Sequence, residues 1–465
     1  MPGSRESSGR ATPRASHAPR SPDPTRSARW AAAAALSEQA ARFPDLLPAA
    51  PETAGLTDRD AALAHAIYDA SIRHWLTLRH LLSGFLRQPF DALEQPLQAV
   101  LLSGAAQALI LDRIPIHAAL NESVELAKRE VRPGAGGLVN AVLRKVAALR
   151  AGESSRPAGW PDHRDLIPLG DGRARRLTEA ALPDDPADRL ATATSHPRWV
   201  IDRWMAGHGM DTAASLALHS LAAPPTILNT AFAALPLPRG LAPHTAPGHH
   251  VFTGPRAALA DLLSARTDLW VQDPASSRAI DDSRHLTPRT IVDLCAGQGT
   301  KTRQLAAAFP AARILATDID ESRFATLADT WRGHARVDAL PFSALLARAA
   351  AAADLVLLDV PCSNTGVLAR RIEAKYRCSD AQLQRLADLQ RRILDQAAPL
   401  LAPAGRILYT TCSIDAEENE LQAQDAARRL GLTIEHSRLS LPAGLPGDAP
   451  KMYHDGSYAA LLARA

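Results

Sequence analysis

The sequence is poor in cysteine and in aromatic side chains, and it contains no long apolar run. Its 465 residues include only 4 cysteines, and no two of them form a Cys-x-x-Cys pair. That scarcity argues against a disulfide framework and against a zinc site, and it suits a reducing compartment. No stretch of about 18 consecutive apolar residues occurs, so we expect no membrane span. We expect a cytoplasmic protein that holds no metal, contacts no membrane and acts as a monomer.

The overall composition is that of a folded globular protein. Hydrophobic residues make up 46% and charged residues 22% of the chain, which excludes a disordered protein. A chain of 465 residues is too long for one ordinary core, so we expect two or three domains. The net charge of +3 permits a nucleic-acid partner without requiring one.

Composition and apolar periodicity divide the chain into five segments. The first is rich in Ser, Arg and Pro and lacks the apolar core of a secretory signal, which is typical of a disordered tail. The last alternates strands and helices, which predicts a parallel sheet with crossover helices. The segments are a disordered basic tail (1–29), a helical domain (30–150), a linker (151–194), a small α/β RNA-binding subdomain (195–267) and a larger α/β domain (268–465).

The same periodicity predicts individual elements. Predicted helices cover residues 59–82, 97–111, 116–129, 135–149, 300–308 and 381–401. Predicted parallel strands cover residues 291–294, 313–317, 335–337, 355–358 and 406–409. Residues 433–439 and 457–462 are candidates for an antiparallel pair at the sheet edge.

A glycine-containing loop between the first strand of this domain and its helix predicts a cofactor site. Gly297 and Gly299 allow a tight turn and a close approach of a ligand to the backbone. The N-terminus of the following helix can hold a carboxylate. Asp318 ends the next strand, 19 residues after Gly299, where a ribose-binding acid is expected in a Rossmann-like fold. Asp338 follows the predicted third strand, within reach of an adenine.

Two alternatives stay open for these acids: Asp318 as a helix cap and Asp338 as an ordinary turn residue. No second phosphate-binding element accompanies the loop. S-adenosylmethionine is therefore favoured over NAD, with its carboxylate at the helix N-terminus and its ribose on Asp318.

Two cysteines follow two of the predicted strands. Cys362 comes after residues 355–358 and Cys412 after residues 406–409. Loops that follow parallel strands line one crevice, so the two thiols are expected to meet there. A thiolate is a strong nucleophile near neutral pH when its surroundings lower its pKa. The alternative is that both thiols are small buried apolar groups.

Four motifs of the C-terminal half resemble those of one enzyme family. They are Asp-Leu-Cys-Ala-Gly-Gln-Gly-Thr-Lys-Thr at 293–302, Asp-Val-Pro-Cys-Ser-Asn-Thr-Gly at 359–366, Thr-Cys-Ser at 411–413 with Glu-Glu-Asn at 417–419, and Asp-Gly-Ser-Tyr at 455–458. Residues 111–128 and 137–144 look like a NusB-like helical domain. The chain resembles the Sun/RsmB family of RNA 5-methylcytosine methyltransferases over roughly residues 40–460, apart from the predicted linker.

The resemblance implies a multidomain fold and a set of functional residues. An all-α NusB-like domain is expected before an α/β Rossmann-like class I methyltransferase domain, with a small α/β insert between them. It implies 16S rRNA as partner, Cys412 as nucleophile, Cys362 as the group assisting release, and Asp359 on the base edge. Lys301 orients the base or the nucleophile, or else forms an ion pair. The expected cofactor-binding residues are Asp293, Cys295, Ala296, Gly297, Gly299, Lys301, Asp318, Asp338 and Asp359.

The chain departs from the family pattern in two places. The cofactor loop lacks a proline that the family carries, and its glycines are shifted. Residues 370–376 read Arg-Arg-Ile-Glu-Ala-Lys-Tyr, where the family has Arg-His-Pro-Asp-x-Lys-Trp. Two other functions therefore stay open: a cytosine-5 methyltransferase acting on tRNA or another RNA, and a catalytically weak rRNA-binding assembly factor.

The helical domain also contains basic residues that are candidates for salt-sensitive phosphate contacts. These are Arg73, Arg79, Arg87, Arg113, Lys128, Arg129, Arg132, Arg144 and Lys145.

Overall fold

A computed structural model describes residues 27–157 and 159–464. Positions 1–26 of the predicted disordered tail lie outside the described residues. The last two positions of that predicted tail, Ala28 and Arg29, begin the first helix. Six helices form the N-terminal domain: α1 (Ala28–Ala40), α2 (Asp58–Arg73), α3 (Trp75–Ser83), α4 (Gln95–Leu109), α5 (Ile116–Glu130) and α6 (Ala135–Ala148).

Helix α4 is the central element of this domain. All of its residues from Leu97 to Leu109 are buried, and α1, α2, α3, α5 and α6 contact it. Gly104 lies so close to α6 that a Cβ there would lie 2.4 Å from Leu143 Cδ1. The helix predicted at 59–82 is two helices, because the backbone leaves helical geometry at the buried His74.

The predicted linker carries regular structure, and this corrects the expectation for residues 151–194. It contains β1 (Arg150–Ser155), β2 (Leu166–Pro168), β3 (Arg173–Leu177) and α7 (Pro186–Thr194), with antiparallel strands in the order β1-β3-β2. The charges that suggested a solvated linker are paired within the fold. Arg173 and the fully buried Arg175 both form ion pairs with Asp112 of the helical domain.

Residues 195–271 form three helices and a small antiparallel sheet. The elements are α8 (Arg198–His208), α9 (Met210–His219), β4 (Ile227–Asn229), β5 (Leu241–Pro243), β6 (His249–Phe252), α10 (Ala257–Ala265) and β7 (Trp270–Val271). The sheet has the order β5-β6-β4-β7. Its last strand therefore lies beyond position 267, the predicted end of this subdomain.

The C-terminal domain contains a seven-stranded sheet in the order β10-β9-β8-β11-β12-β14-β13. The first five strands in that order are parallel, and β14 is antiparallel to both β12 and β13. The strands are β8 (Thr290–Asp293), β9 (Arg313–Ala316), β10 (Val337–Ala339), β11 (Ala353–Asp359), β12 (Leu401–Thr411), β13 (Leu432–Ser440) and β14 (Ser457–Arg464). The expected antiparallel edge pair is thus confirmed.

Helices cover this sheet, and short 3-10 turns complete the chain. The helices are α11 (Pro274–Asp282), α12 (Thr300–Ala308), α13 (Glu321–Thr330), α14 (Phe342–Ala349), α15 (Ala374–Arg377), α16 (Asp380–Ala397) and α17 (Glu420–Leu430). The turns are Phe90–Ala92, Trp160–Asp162, Ala398–Leu400, Ala416–Glu418 and Pro450–Met452. The strand order reverses between β8 and β11, and ligands of such sheets bind at the carboxyl ends beside the reversal.

The helical domain contacts the C-terminal domain through buried polar side chains. The Arg73 guanidinium donates to the carbonyls of Ser220, Ala222 and Ala369 at 2.7, 3.2 and 3.2 Å. The ammonium of buried Lys375 donates to the carbonyls of Arg73 and Thr194. Arg73 therefore holds domains together, and this corrects its assignment as a phosphate contact. In the part of the chain that the structure describes, no helix is long and apolar enough to cross a membrane.

We expect Tyr376→Phe to lower the free energy of unfolding by about 1–3 kcal/mol. The Tyr376 hydroxyl donates to the Ile72 carbonyl at 2.5 Å and lies 2.8 Å from Ser195 Oγ. The variant removes both of these buried contacts, although the Ile72 carbonyl still accepts from the His74 amide. Urea unfolding measures the effect, and an unchanged midpoint would show that this junction does not stabilise the protein.

Candidate active site

Two adjacent parallel strands bring the two cysteines together. Asp359 at the end of β11 lies opposite Thr410 near the end of β12, so the loops that follow leave the sheet side by side. Cys362 Sγ lies 2.9 Å from Cys412 Sγ, and both are free thiols. Cys362 is buried and Cys412 is partly exposed. The structure therefore places one accessible thiol against one enclosed thiol.

Asn364 and Gly366 join the two cysteine loops. The Asn364 amide donates to the Cys362 carbonyl at 3.0 Å, and its carbonyl oxygen accepts from Cys412 Sγ at 3.2 Å. Asn364 has a φ of 65°, a left-handed conformation that asparagine tolerates better than most residues. The Gly366 amide donates to the Cys412 carbonyl. A Cβ at Gly366 would lie 2.8 Å from that carbonyl oxygen, so the close approach of the loops requires glycine.

A buried lysine and a half-buried carboxylate lie beside Cys412. Lys301 Nζ donates to Asp359 Oδ2 at 2.7 Å, and Thr410 Oγ1 donates to Asp359 Oδ1 at 3.0 Å. The Lys301 side chain is 14% exposed. Burial acts to lower the pKa of Lys301, but the negative charge of Asp359 outweighs it and the pKa is raised. Lys301 is therefore charged at neutral pH and places a positive charge in the thiol site.

The environment of Cys362 keeps its thiol protonated in this state. The hydrogen bond with Cys412 raises the pKa of Cys362 most, and burial and the charge of Glu418 raise it further. A protonated Cys362 can donate to the Cys412 sulfur. Negative charge on Cys362 is therefore disfavoured in this state.

The cofactor loop is tied to the ends of β8 and β9. Thr302 Oγ1, in the first turn of α12, donates to Asp293 Oδ2 at 2.7 Å. The Gly297 amide donates to Asp318 Oδ2 at 2.8 Å. Gly299 has a φ of 95°, and a Cβ there would lie 2.9 Å from Leu327 Cδ1. Burial raises the pKa of Asp293 to about 7, and the charge of Asp359 adds to this shift.

The loop has features that suit a small charged cofactor. Asp293 Oδ1 and Thr317 Oγ1 are buried atoms with no hydrogen-bond partner among the described residues. The side of Gly297 where a Cβ would lie faces open space within 4 Å. The first-turn amides of α12 have no partner within their helix. Unpartnered polar atoms, open space and a helix N-terminus thus lie together at the carboxyl ends of β8 and β9.

Two connected cavities adjoin these groups and share Lys301 and Asp359. One of about 180 Å³ reaches Cys412. The other, of about 510 Å³, extends towards the small sheet and is lined by residues that include Gln272, Asp273, Thr300 and Arg370. The thiol is thus open to a molecule approaching between the small sheet and the large one.

Comparisons with known proteins identify the family. Residues 26–148 match the NusB family, and residues 285–439 match the family described as 16S rRNA methyltransferase RsmB/F. Ribosomal RNA small subunit methyltransferase B of Sodalis glossinidius is 30% identical over 409 residues, which cover 84% of this chain and 86% of that protein. The chain belongs to this methyltransferase family. The protein of the same name from Xanthomonas campestris pv. campestris is 29% identical, with 88% and 91% covered.

The solved structures agree on the fold of this family member. The crystal structure of PH0851 superposes with a TM-score of 0.65 at 20% identity, covering 87% of this chain and 90% of that one. The expected fold is confirmed: a helical NusB domain precedes a Rossmann-like methyltransferase domain.

The structure brings most of the predicted site residues of the methyltransferase together. Cys412, Asp359 and Lys301 line one cavity, and Cys362 lies behind Cys412 at 2.9 Å. Lys301 forms the ion pair left open as an alternative. Asp318 lies at the cofactor loop. It is not the helix cap considered as its alternative, because Asp320 caps α13. Cys295 and Ala296 form the base of that loop, and burial raises the pKa of the Cys295 thiol, so it stays protonated.

Asp338 is not placed as predicted. It lies within β10 and not after a strand at 335–337. Its carboxylate pairs with Arg313 at 2.8 Å and lies 3.6 Å from Arg348. The adenine contact proposed for it would compete with these ion pairs.

Several functional positions of the methyltransferase were missed from the sequence. Asn364 contacts Cys412, Thr410 contacts Asp359, and buried Glu418 and Asn419 hold the cysteine loops from beneath. Arg370 forms ion pairs with Asp273 and Asp455 at the wall of the larger cavity. The Asn-Thr-Gly and Glu-Glu-Asn segments were visible as family motifs, but their contacts join distant parts of the chain.

Most of the proposed phosphate-binding residues of the helical domain already have partners. Arg79, Lys128, Arg129 and Arg132 form ion pairs, with Asp91, Glu125, Glu130 and Glu94. Arg144 bonds to Asn140, and Lys145 lies over the Phe85 ring. Arg87 and Arg113 are exposed and have no such partner among the described residues, which makes them the better candidates.

We expect Asp293→Asn to stabilise the methyltransferase increasingly as the pH rises from about 4 to about 7. The pKa of Asp293 is raised from 3.8 to about 7. Between these two pH values the carboxyl group is ionised in the unfolded chain and still protonated in the folded protein, so a rise in pH favours the unfolded state. The free energy of unfolding of the wild type therefore falls over this range, while the asparagine variant lacks this loss.

The difference in the free energy of unfolding between Asp293→Asn and the wild type should grow to on the order of 4 kcal/mol at pH 8. Denaturant unfolding at several pH values measures it. Asp329→Asn, which removes an exposed carboxylate, is the matched control with a flat difference. A flat difference for Asp293→Asn as well would contradict the burial effect.

Proposed function

We propose that this protein transfers a methyl group from S-adenosylmethionine to carbon 5 of a cytosine in 16S rRNA through a covalent cysteine adduct. The observation that carries the proposal is the contact of two thiols at adjacent strand ends, 2.9 Å apart, beside the cofactor loop. Family membership supports the methyl transfer and the RNA substrate. Relatives named as ribosomal RNA methyltransferases also support action in the bacterial cytoplasm.

The chemistry explains why two thiols are useful. Carbon 5 of cytosine is a poor nucleophile. A thiolate that adds to carbon 6 makes the ring enamine-like, so that carbon 5 can attack the sulfonium methyl group supplied by S-adenosylmethionine. A base must then take the proton from carbon 5, so that the sulfur–carbon 6 bond breaks and the cysteine leaves.

Cys412 is the thiol suited to the attack. It is partly exposed, lines the cavity with Asp359 and Lys301, and can accept a hydrogen bond from the protonated Cys362. Asp359 lies where its carboxylate can accept a hydrogen bond from the cytosine amino group. Thr410 and Lys301 each hold one oxygen of that carboxylate, which fixes its orientation.

Cys362 is suited to the release step. Its pKa is raised chiefly by the neighbouring Cys412 sulfur. Once Cys412 is bonded to carbon 6, that sulfur is a neutral thioether and this cause is removed. The pKa of Cys362 then falls, so Cys362 loses its own proton to solvent more readily and, as a thiolate, can take the proton from carbon 5. The same contact thus keeps Cys362 protonated before the attack and releases it to act afterwards.

The residues of the cofactor loop fit S-adenosylmethionine. The N-terminus of α12 can hold its carboxylate, and Asp318 retains acceptor capacity for ribose hydroxyls beside its bond to Gly297. Asp293 bonds to Thr302 and so shapes the loop from beneath. Open space beside Gly297 leaves room for a ligand against the backbone, despite the proline missing from the family pattern.

We expect Cys412→Ala to abolish methyl transfer, by on the order of 1,000-fold or more, and to form no adduct. Cys362→Ala should attack normally and accumulate a covalent RNA–protein complex, because release is blocked. Denaturing gel electrophoresis with the target RNA displays that complex as a slow band. Cys378→Ala, which alters a buried thiol away from the cavity, is the control and should behave as wild type.

The assigned roles would be overturned by a slow band for Cys412→Ala or by none for Cys362→Ala.

A deletion strain tests the substrate. We expect bisulfite sequencing of its 16S rRNA to lack one 5-methylcytosine that the parent strain carries, because the proposed enzyme is absent. Complementation with the wild-type chain should restore it, and with Cys412→Ala should not. An unchanged pattern of 5-methylcytosine would contradict 16S rRNA as substrate. Loss of a 5-methylcytosine from tRNA, with 16S rRNA unchanged, would favour the tRNA alternative.

A further inference from the structure

Two adjacent buried residues lie beneath the cysteine loops and reach in different directions. Glu418 ends the short turn Ala416–Glu418, and Asn419 precedes helix α17. Both side chains are fully buried, at 0% exposure. A buried carboxylate costs free energy unless hydrogen bonds satisfy it, so the contacts of these two residues need a physical explanation.

Glu418 holds the loop of Cys362. Its carboxylate accepts from the Ser363 amide at 2.9 Å and from the Ser363 hydroxyl. Buried Gln390 donates to Glu418 Oε1 at 3.0 Å and also to the Pro361 carbonyl at 2.9 Å. The residues on both sides of Cys362 are therefore bonded, directly or through Gln390, to one carboxylate.

Asn419 holds the loop of Cys412. Its carbonyl oxygen accepts from Thr411 Oγ1 at 2.6 Å, and its amide donates to the Ser413 carbonyl at 3.0 Å. The residues on both sides of Cys412 are therefore bonded to one amide. Neither Glu418 nor Asn419 lines the cavities that adjoin the thiols, so neither side chain touches a molecule bound there.

We propose that Glu418 and Asn419 are positioning residues with separate tasks, Glu418 for the release step at Cys362 and Asn419 for the attack step at Cys412. The proposal rests on the proposed function, because it takes its two steps from that chemistry. Because the two residues are neighbours in one rigid turn, they set the spacing of the two loops, and through it the contact between the sulfur atoms. Burial raises the pKa of Glu418, in keeping with a group enclosed for structural reasons.

The separate tasks predict different kinetic defects. Loosening the Cys362 loop should slow release while attack continues, so a covalent complex accumulates on ordinary RNA. Loosening the Cys412 loop should slow attack, so no complex accumulates. A displacement near 1 Å in a catalytic group costs about 100-fold in rate, and we expect defects of about 10–100-fold in kcat with the KM for RNA changed less than about 2-fold.

The experiment uses the full-length protein with five variants. Glu418→Gln and Ser363→Ala weaken the contact at Cys362. Asn419→Ala and the nearly isosteric Thr411→Val weaken the contact at Cys412. Glu417→Gln is the matched control, because Glu417 is the adjacent carboxylate, is partly exposed and pairs with Arg203. Ser363→Ala and Thr411→Val keep the backbone and core volume, so they report on the contacts even where the larger changes prevent folding.

Single-turnover methyl transfer, steady-state kcat and KM, and the covalent band on denaturing gels are measured for each folded variant. We expect a band for the first pair of variants, slow single-turnover transfer without a band for the second pair, and wild-type behaviour for Glu417→Gln. Equal defects in both pairs, or defects that only follow the folded fraction, would overturn the inference. A wild-type protein that forms no adduct with 5-fluorocytosine RNA and transfers no methyl group would instead defeat the proposed function.

Discussion

The parallel pairing of β11 with β12 is the constraint on which the site depends. Its register sets Asp359 opposite Thr410, and the loops that leave these strands carry one thiol each. Because both strands are buried within the sheet, neither can slide without moving its apolar residues out of the core. The 2.9 Å contact of the thiols is thus a product of sheet register. Asp359 and Lys301 are placed by the same strand end and by the helix after β8.

Polar groups buried beneath the loops turn that coarse placement into a defined geometry. Glu418, Asn419 and Gln390 lie under the cysteines, each at 0% exposure, and nearly all their bonds go to the two loops or to one another. A buried network of this kind costs free energy when some of its polar groups lack hydrogen bonds, and it is rigid when all of them are hydrogen-bonded. A second set of buried bonds, at Arg73, Lys375 and Tyr376, joins the helical domain to the segment that follows the first cysteine loop. The helical domain and the methyltransferase domain are therefore joined through one stretch of chain.

Local patterns predicted the elements of the C-terminal domain closely, because buried parallel strands such as β11 are short apolar runs. The local patterns failed where contacts between distant parts of the chain determine the structure. Residues 151–194 have a loop-like composition, yet Arg173 and Arg175 pair with Asp112, which no local pattern shows. Asp338 was expected at a strand end by counting residues, and β10 begins two positions later than predicted. Of the site, the thiols and Asp359 were predictable from motifs. The roles of Asn364 and Glu418 depend on partners about 50 residues away and were not predictable.

The central claim is that Cys412, and not Cys362, bonds to the cytosine. Peptide mapping by mass spectrometry tests it most directly, using wild-type protein trapped on target RNA that carries 5-fluorocytosine. Fluorine at carbon 5 removes the proton that release requires, so the adduct persists. We predict that the nucleotide mass is found on the peptide that contains Cys412, with Cys362 unmodified. Nucleotide mass on the peptide that contains Cys362 would contradict the account.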